Sequence, residues 1–320
     1  MGSGCVHYVG PAETMTSGPT ADVSGTVAEA IAPEEVLTLR NARGSIRVTG
    51  TDREDVEARY TITVFADDET TAARYAEELK VAAVRRPDGV QLELVRPARI
   101  PAGVRAVAVS YQIAVPRSVR VRLENAGGPV EVSGVAGPSS VENGFGTTSL
   151  RNLEGDWTVR TRFGELWVNE VRGRLELSGT YTEGWIANVA GPVAGDFVGS
   201  LTVEEAESVE LDASYTQLRL FRIHGPIGLS MAFGPAELDW VRHDVRVKGS
   251  YGNLTVRLDP AASGFHVDVE SHNGEIRNES ALLRGRDVVQ DRGTSQLKAV
   301  VGDGAHVIQV SLRNGHVTVR

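Results

Sequence analysis

Two tripeptides of one pattern, Glu165-Leu166-Trp167 and Glu183-Gly184-Trp185, recur a short interval apart in the chain. Each holds a carboxylate two positions from an indole, the spacing that puts both on one face of a strand. Two neighbouring indoles offer a flat π surface to the C–H faces of a pyranose, and flanking carboxylates accept hydrogen bonds from its hydroxyls. Trp167, Trp185, Glu165 and Glu183 are therefore the candidate ligand-binding residues, and the ligand they suit is a glycan. Two other uses stay open. The indoles can pack beneath another part of the chain or beneath a second copy of it. The carboxylates, carried on adjacent strands, would stand near the separation of about 5 to 5.5 Å used by retaining glycosidases. Cleavage would also need a raised carboxyl pKa and an enclosing cleft, and no sequence feature supplies either.

Other chemistry is sparse. The seven histidines, at 7, 224, 243, 266, 272, 306 and 316, have no metal-binding spacing. Phosphate-binding loops, dinucleotide fingerprints and nucleophile elbows are absent, so no metal, cofactor or catalytic residue is expected. With 42 acidic against 33 basic side chains and a formal charge of −9, the chain has no basic stripe for a nucleic acid. The single cysteine excludes a disulfide framework. Cys5 follows Gly2-Ser3-Gly4 and precedes a Gly/Pro/Thr-rich stretch up to Ala32. This resembles the end of a bacterial lipoprotein signal, although no apolar stretch precedes it. On that reading Cys5 is lipidated and residues 6–32 are a tether; the alternative is an incidental free thiol. No apolar run is long enough to span a bilayer as a helix.

The elements that must carry the Glu-x-Trp pairs are repeats. With Phe163 as the centre of one unit, the equivalent centres are Gly127, Phe145, Tyr181, Val198, Tyr215, Phe233 and Tyr251, in steps that differ by no more than one position. Five positions after each centre stand Val132, Leu150, Val168, Ile186, Val203, Leu220, Leu238 and Val256. Four before it stand Leu123, Val141, Val159, Leu177, Ala194, Leu211, Leu229 and Val247. At 41% hydrophobic residues, either column would arise by chance about once in a thousand tries. Eight after the centre come Val135, Leu153, Val171, Val189, Ala206, Ile223 and Val241, until Asp259 breaks the column. Glycines 137, 155, 173, 191 and 225 close their units.

Alternation within a unit is strand period, and each slip of phase marks a corner. Such a unit cannot bury its apolar edge alone; stacked units bury a continuous column. The expected fold is all-β: a single-stack parallel β-solenoid with 17-18-residue rungs, plus a small α+β insertion near the N-terminus. Eight rungs at about 4.8 Å give a rod of roughly 38 Å; right-handed winding is the default for parallel crossovers, and the sequence leaves the hand open. A left-handed hexapeptide helix is excluded by aliphatic spacings of 4, 3, 2 and 3 from Val159 to Val171. Calcium-binding nonapeptide repeats are excluded because their glycine signature is missing.

The chain divides into a flexible tether over 1–33, a first rung with the α+β insertion over 34–118, the regular array over 119–260, and irregular rungs with a cap over 261–320. Leu37, Leu39, Ile46 and Val48 mark the first rung, and Val267, Val269 and Ile276 a late one. Ile308, Val310, Leu312, Val317 and Val319 mark the last. A helix is expected from about Asp67 to Val84. The centre column of Phe145, Phe163, Tyr181, Tyr215, Phe233 and Tyr251 reads as a stacking ladder at one corner. Phe221 and Trp240 are two outward aromatics that could extend a binding face.

The segment Leu39-Arg40-Asn41-Ala42-Arg43-Gly44-Ser45-Ile46-Arg47-Val48-Thr49-Gly50, then Tyr75-Ala76-Glu77-Glu78-Leu79, then Tyr111-Gln112-Ile113-Ala114-Val115-Pro116 leading into the repeats, resembles the bacterial putative-adhesin family, β-solenoid domains related to the head GIN domain. The resemblance spans roughly residues 34 to 320. It implies a non-catalytic bacterial envelope or surface protein and carries over no catalytic residue. The expected partners are a cell-surface or envelope polysaccharide, or the chain itself through solenoid ends. A self-associating structural protein and a polysaccharide-cleaving solenoid enzyme are the alternatives.

Overall fold

The computed structural model describes residues 18–320; Cys5 lies outside them. The described residues are all-β, with one α-helix and one short 3-10 turn beside 23 strands in a long, mostly parallel sheet.

The aliphatic columns become rows of hydrogen-bonded neighbours. Strand β8 (Arg120–Asn125) pairs in parallel with β10 (Ser139–Phe145), and β10 with β12 (Trp157–Arg172), which pairs in turn with β13 (Leu175–Phe221). Leu123, Val141, Val159 and Leu177 thereby stand side by side, all buried. A second row runs from β9 (Val130–Ser133) through β11 (Thr148–Glu154) into β12 and β13, and aligns Val132, Leu150, Val168 and Ile186. Both rows belong to one apolar core. Partners such as Val141 and Val159 are one repeat step apart, so the sequence period is the spacing between hydrogen-bonded neighbours.

The phase slip has a backbone cause. Asn152, Glu170, Asn188, Glu205, Arg222 and Trp240 occupy the left-handed region with φ between 50 and 60°. One such residue between Val168 and Val171 reverses the alternation once, so both side chains point inward. A non-glycine residue there costs about 1–2 kcal/mol, which the buried column offsets.

At the N-terminal end, β2 (Val36–Asn41) and β3 (Ile46–Thr51) pair with β8 and β9. The insertion covers their other edges. Strand β6 (Gly89–Val95) lies on β2, and β7 (Val104–Pro116) on β3. Antiparallel β5 (Lys80–Arg86) and β4 (Asp55–Ala66) flank these in turn. The helix, α1 (Glu69–Glu77), is capped by Asp68, whose carboxylate accepts from the Thr71 backbone N–H at 2.8 Å. It is shorter than the expected 67–84. The segment after it leads into Pro87-Asp88-Gly89, and hairpin pairing with β6 makes it a strand instead. Residues 20–30 also depart from the flexible tether expected over 1–33. They form β1 (Thr20–Ala30), paired with β4 along its whole length, with Val23 and Val27 against the core.

The C-terminal end is not in sequence order. The units of β16 (Val245–Ser250) and β17 (Leu254–Leu258) are followed in the chain by β18 (Gly264–His272) and β19 (Ile276–Asn278). Between them in space lie β22 (His306–Arg313) and β23 (Val317–Val319). Val310 pairs with Val247 on one side and Val269 on the other. The unit expected to be last is thus penultimate, and the outermost level is closed by antiparallel β21 (Thr294–Gly302) and β20 (Val289–Asp291). Asp259, which reads as the end of the array, is instead a buried carboxylate within it. Its Oδ1 accepts from the Ala261 backbone N–H at 2.8 Å and its Oδ2 from Arg242 Nε. Burial raises its pKa, yet these donors leave it below the usual aspartate range.

Candidate functional site

The Glu-x-Trp pairs sit where β12 and β13 run side by side, in the register Glu165 to Glu183, Leu166 to Gly184, Trp167 to Trp185 and Val168 to Ile186. Leu166, Val168 and Ile186 are buried. Strand alternation therefore sends Glu165, Trp167 and Glu183 outward as exposed side chains, with Trp185 half-buried beside them. The two indole centroids are 5.8 Å apart with ring planes tilted by 48°. Trp167 Nε1–H donates to Glu165 Oε2 at 3.1 Å, which fixes the carboxylate against the edge of the indole.

The exposed run is longer than the Glu-x-Trp pattern. Two positions before each glutamate stand Phe163 and Tyr181, both exposed, with rings stacked 5.4 Å apart and 8° from parallel. Phe145 continues the stack, 4.9 Å from Phe163. These rings stand at the corner that precedes each Glu-x-Trp pair, where Gly164 and Tyr181 take the left-handed φ values of 132 and 52° and four consecutive positions, 162–165, are exposed. Phe145, Phe163 and Tyr181 thus form the stacking ladder at a corner that their shared column position predicts, and the ladder adjoins the Glu-x-Trp strands.

The insertion does not cover the indoles: α1 packs on β1 and β4 at the N-terminal end. Beneath the platform the inward position between Glu183 and Trp185 is Gly184. A Cβ there would lie 2.8 Å from Leu201 Cδ1 and 2.9 Å from Phe197 Cζ. Phe197 is buried, while its neighbour Val198 takes the column position where other units place an exposed ring. The ladder is accordingly split into Phe145–Phe163–Tyr181 and Tyr215–Phe233–Tyr251, the latter stacked at 4.8 and 4.9 Å.

Chemically the platform offers π faces, two carboxylates as acceptors and a rigid strand base. Among the described residues no group of three or more His, Cys, Asp or Glu side chains is placed to hold a metal ion. His243 meets His306 edge-on at 5.2 Å. Among the described residues no helix is long and apolar enough to cross a membrane.

No family model matches the chain, and no curated protein does. Among solved structures it is similar to a "putative cell adhesion protein" of Clostridium sporogenes, at 10% identity over 93% of this chain and 99% of that one, with a TM-score of 0.22. It is similar to a "putative adhesin" of Parabacteroides distasonis at 11% identity over 93% and 97%, with a TM-score of 0.37. A "putative lipid binding protein" of the same organism aligns at 9% identity over 93% and 96%, with a TM-score of 0.32.

Proposed function

We propose that the chain is a β-solenoid of 17–18-residue rungs, displayed at a bacterial cell envelope, that binds a glycan across the platform of Trp167 and Trp185. The solenoid reading is supported by parallel partners one repeat step apart in both strand rows. The envelope reading rests on the resemblance to the adhesin family over residues 34 to 320, with Cys5 as the anchor that the separate likeness to a lipoprotein signal suggests. The observation that carries the binding reading is the outward register of the two Glu-x-Trp pairs, with the indoles 5.8 Å apart and a stack of exposed aromatic rings at the adjoining corner. Two neighbouring indole faces, tilted by 48°, beside carboxylate acceptors suit the C–H faces and hydroxyls of a sugar chain. The reading is one of binding rather than cleavage, because Glu165 and Glu183 both stand on an exposed face and not in a cleft.

Affinity electrophoresis through gels containing bacterial and plant polysaccharides tests it, with the Trp167→Ala/Trp185→Ala variant alongside and reducing ends assayed afterwards. The expected result is retardation of the wild type on at least one polymer, lost in the variant, with no released ends. Absence of retardation on every polymer would overturn the glycan reading, and released ends would replace binding with cleavage.

A further inference from the structure

A second aromatic cluster lies towards the C-terminal end, and unlike the platform it is concave. Phe221 and Trp240 line a cavity of about 340 Å³ together with Arg222, His224, Arg242 and Asp259. The volume falls in the range of small-ligand sites. Its chemistry differs from the platform's: two guanidinium groups enter the lining, each paired with carboxylates.

The two arginines are held differently. The Arg222 guanidinium lies 4.5 Å from the centroid of the Phe221 ring and pairs with Glu204 and Glu205, so it serves mainly as a wall. Among the described residues Arg242 is anchored at one point, by Nε to the buried Asp259 carboxylate, while its side chain is 58% exposed. Because Nε is committed to Asp259, the paired Nη end of the fork is the part that remains for a ligand, and that edge accepts a carboxylate in bidentate fashion. Asp259 occupies the inward column and is locked by the Ala261 backbone N–H, so Arg242 is positioned from beneath. Trp240 holds its left-handed corner at φ 60° with an indole 42% exposed.

We infer that this groove binds a carboxylated sugar, a hexuronate unit of an acidic glycan. The Trp240 indole takes the apolar face of the pyranose, and the Nη edge of Arg242 takes its carboxylate. Selection of the acid over its neutral counterpart rests on the two parallel donors of the Arg242 Nη edge, which a carboxylate matches and an ester or hydroxyl does not. The site is separate from the platform and does not depend on it.

Calorimetric titration of the full chain with a tetragalacturonate, its methyl ester and maltotetraose tests the inference. The acid is expected to bind at least about tenfold more tightly than the ester or the neutral sugar, and raised salt should weaken only the acid. Trp240→Ala and Arg242→Gln should each lose about tenfold or more for the acid. Trp167→Ala/Trp185→Ala should leave it unchanged. Since Arg242→Gln removes a partner of a buried carboxylate, Trp240→Ala serves as the variant whose fold is not at risk, with circular dichroism as the check. Equal binding of acid and ester, no binding of the acid, or wild-type affinity in Trp240→Ala would each overturn the inference. Loss in the platform variant with retention in Trp240→Ala would move the acid to the platform, overturning this site while sparing the proposed function. A chain that binds the acid here yet retards on no neutral polymer would do the opposite.

Discussion

Replacing Phe197 with alanine should remove the floor of the platform. The ring is 1% exposed and fills space that two glycines leave open. A Cβ on Gly179 would lie 2.2 Å from its Cε2, and one on Gly184 2.9 Å from its Cζ. With no side chains at 179 and 184 to collapse inward, Phe197→Ala leaves its cavity nearly intact. The loss should therefore reach the upper part of the range for such truncations, about 3–5 kcal/mol. Gly179→Ala alone should cost about 1–3 kcal/mol by overpacking. In a Phe197→Leu background the added methyl should cost less, a coupling of about 0.5–3 kcal/mol. Urea unfolding followed in parallel by tryptophan fluorescence and far-ultraviolet circular dichroism measures both quantities, and two probes detect any loss of cooperativity along the stack. A loss below about 1.5 kcal/mol for Phe197→Ala, or strict additivity with Gly179→Ala, would refute the packing argument.

The stacked backbone also sets the cost of single glycine substitutions. Gly173 sits at φ 150° with the Gly155 carbonyl oxygen 2.2 Å from where a Cβ would stand, so Gly173→Ala should lose about 2 kcal/mol or more. Gly127→Ala, with nothing within 4 Å, should stay within about 0.5 kcal/mol in the same urea titration. Burial, and then the nearby His306, hold His243 below the usual imidazole range. The folded chain therefore takes up fewer protons than the unfolded one below about pH 6.5, and stability is lost as pH falls from there through the folded pKa. The urea midpoint should drop between about pH 7.5 and 5.5, and His243→Gln should flatten that drop; an unchanged slope would count against it. Deleting residues 306–320 removes the level between β16 and β18, so limited proteolysis should cut within 260–305. Deleting 261–320 entirely should leave a resistant core.

The rows of the core could be read from the sequence because a nearly constant period turns positions into neighbours: Val141, Val159 and Leu177 repeat as one residue class. The corners could not, since Asn152, Glu170, Arg222 and Trp240 share a φ angle but no side-chain chemistry. Order at the C-terminal end was equally hidden. Val267 and Val269 carry the same alternation as Ile308 and Val310, and an apolar pattern states that a strand fits the stack without stating at which level. Strand β1 escaped because its apolar positions are alanine, valine and glycine in a polar stretch, and they form a strand only by pairing with β4. Trp167 and Trp185 stood out through the repeated Glu-x-Trp. Of the groove, Phe221 and Trp240 stood out as outward aromatics but Arg242 and Asp259 did not, because Asp259 interrupts an aliphatic column and reads as an ending until Arg242 is seen against it.

A glycan lying on Trp167 and Trp185 and reaching the adjoining corner of Phe163 and Tyr181 should shield those rings from solvent. Hydroxyl-radical footprinting of the chain with and without a retarding polysaccharide reads that shielding residue by residue. The second ladder of Tyr215, Phe233 and Tyr251, equally exposed, is the internal control. Bound polymer should lower oxidation of Trp167, Trp185, Phe163 and Tyr181 while the control ladder reacts as before. Undiminished oxidation of Trp167 and Trp185 under saturating polymer, or equal protection of both ladders, would show that the glycan does not lie on this face.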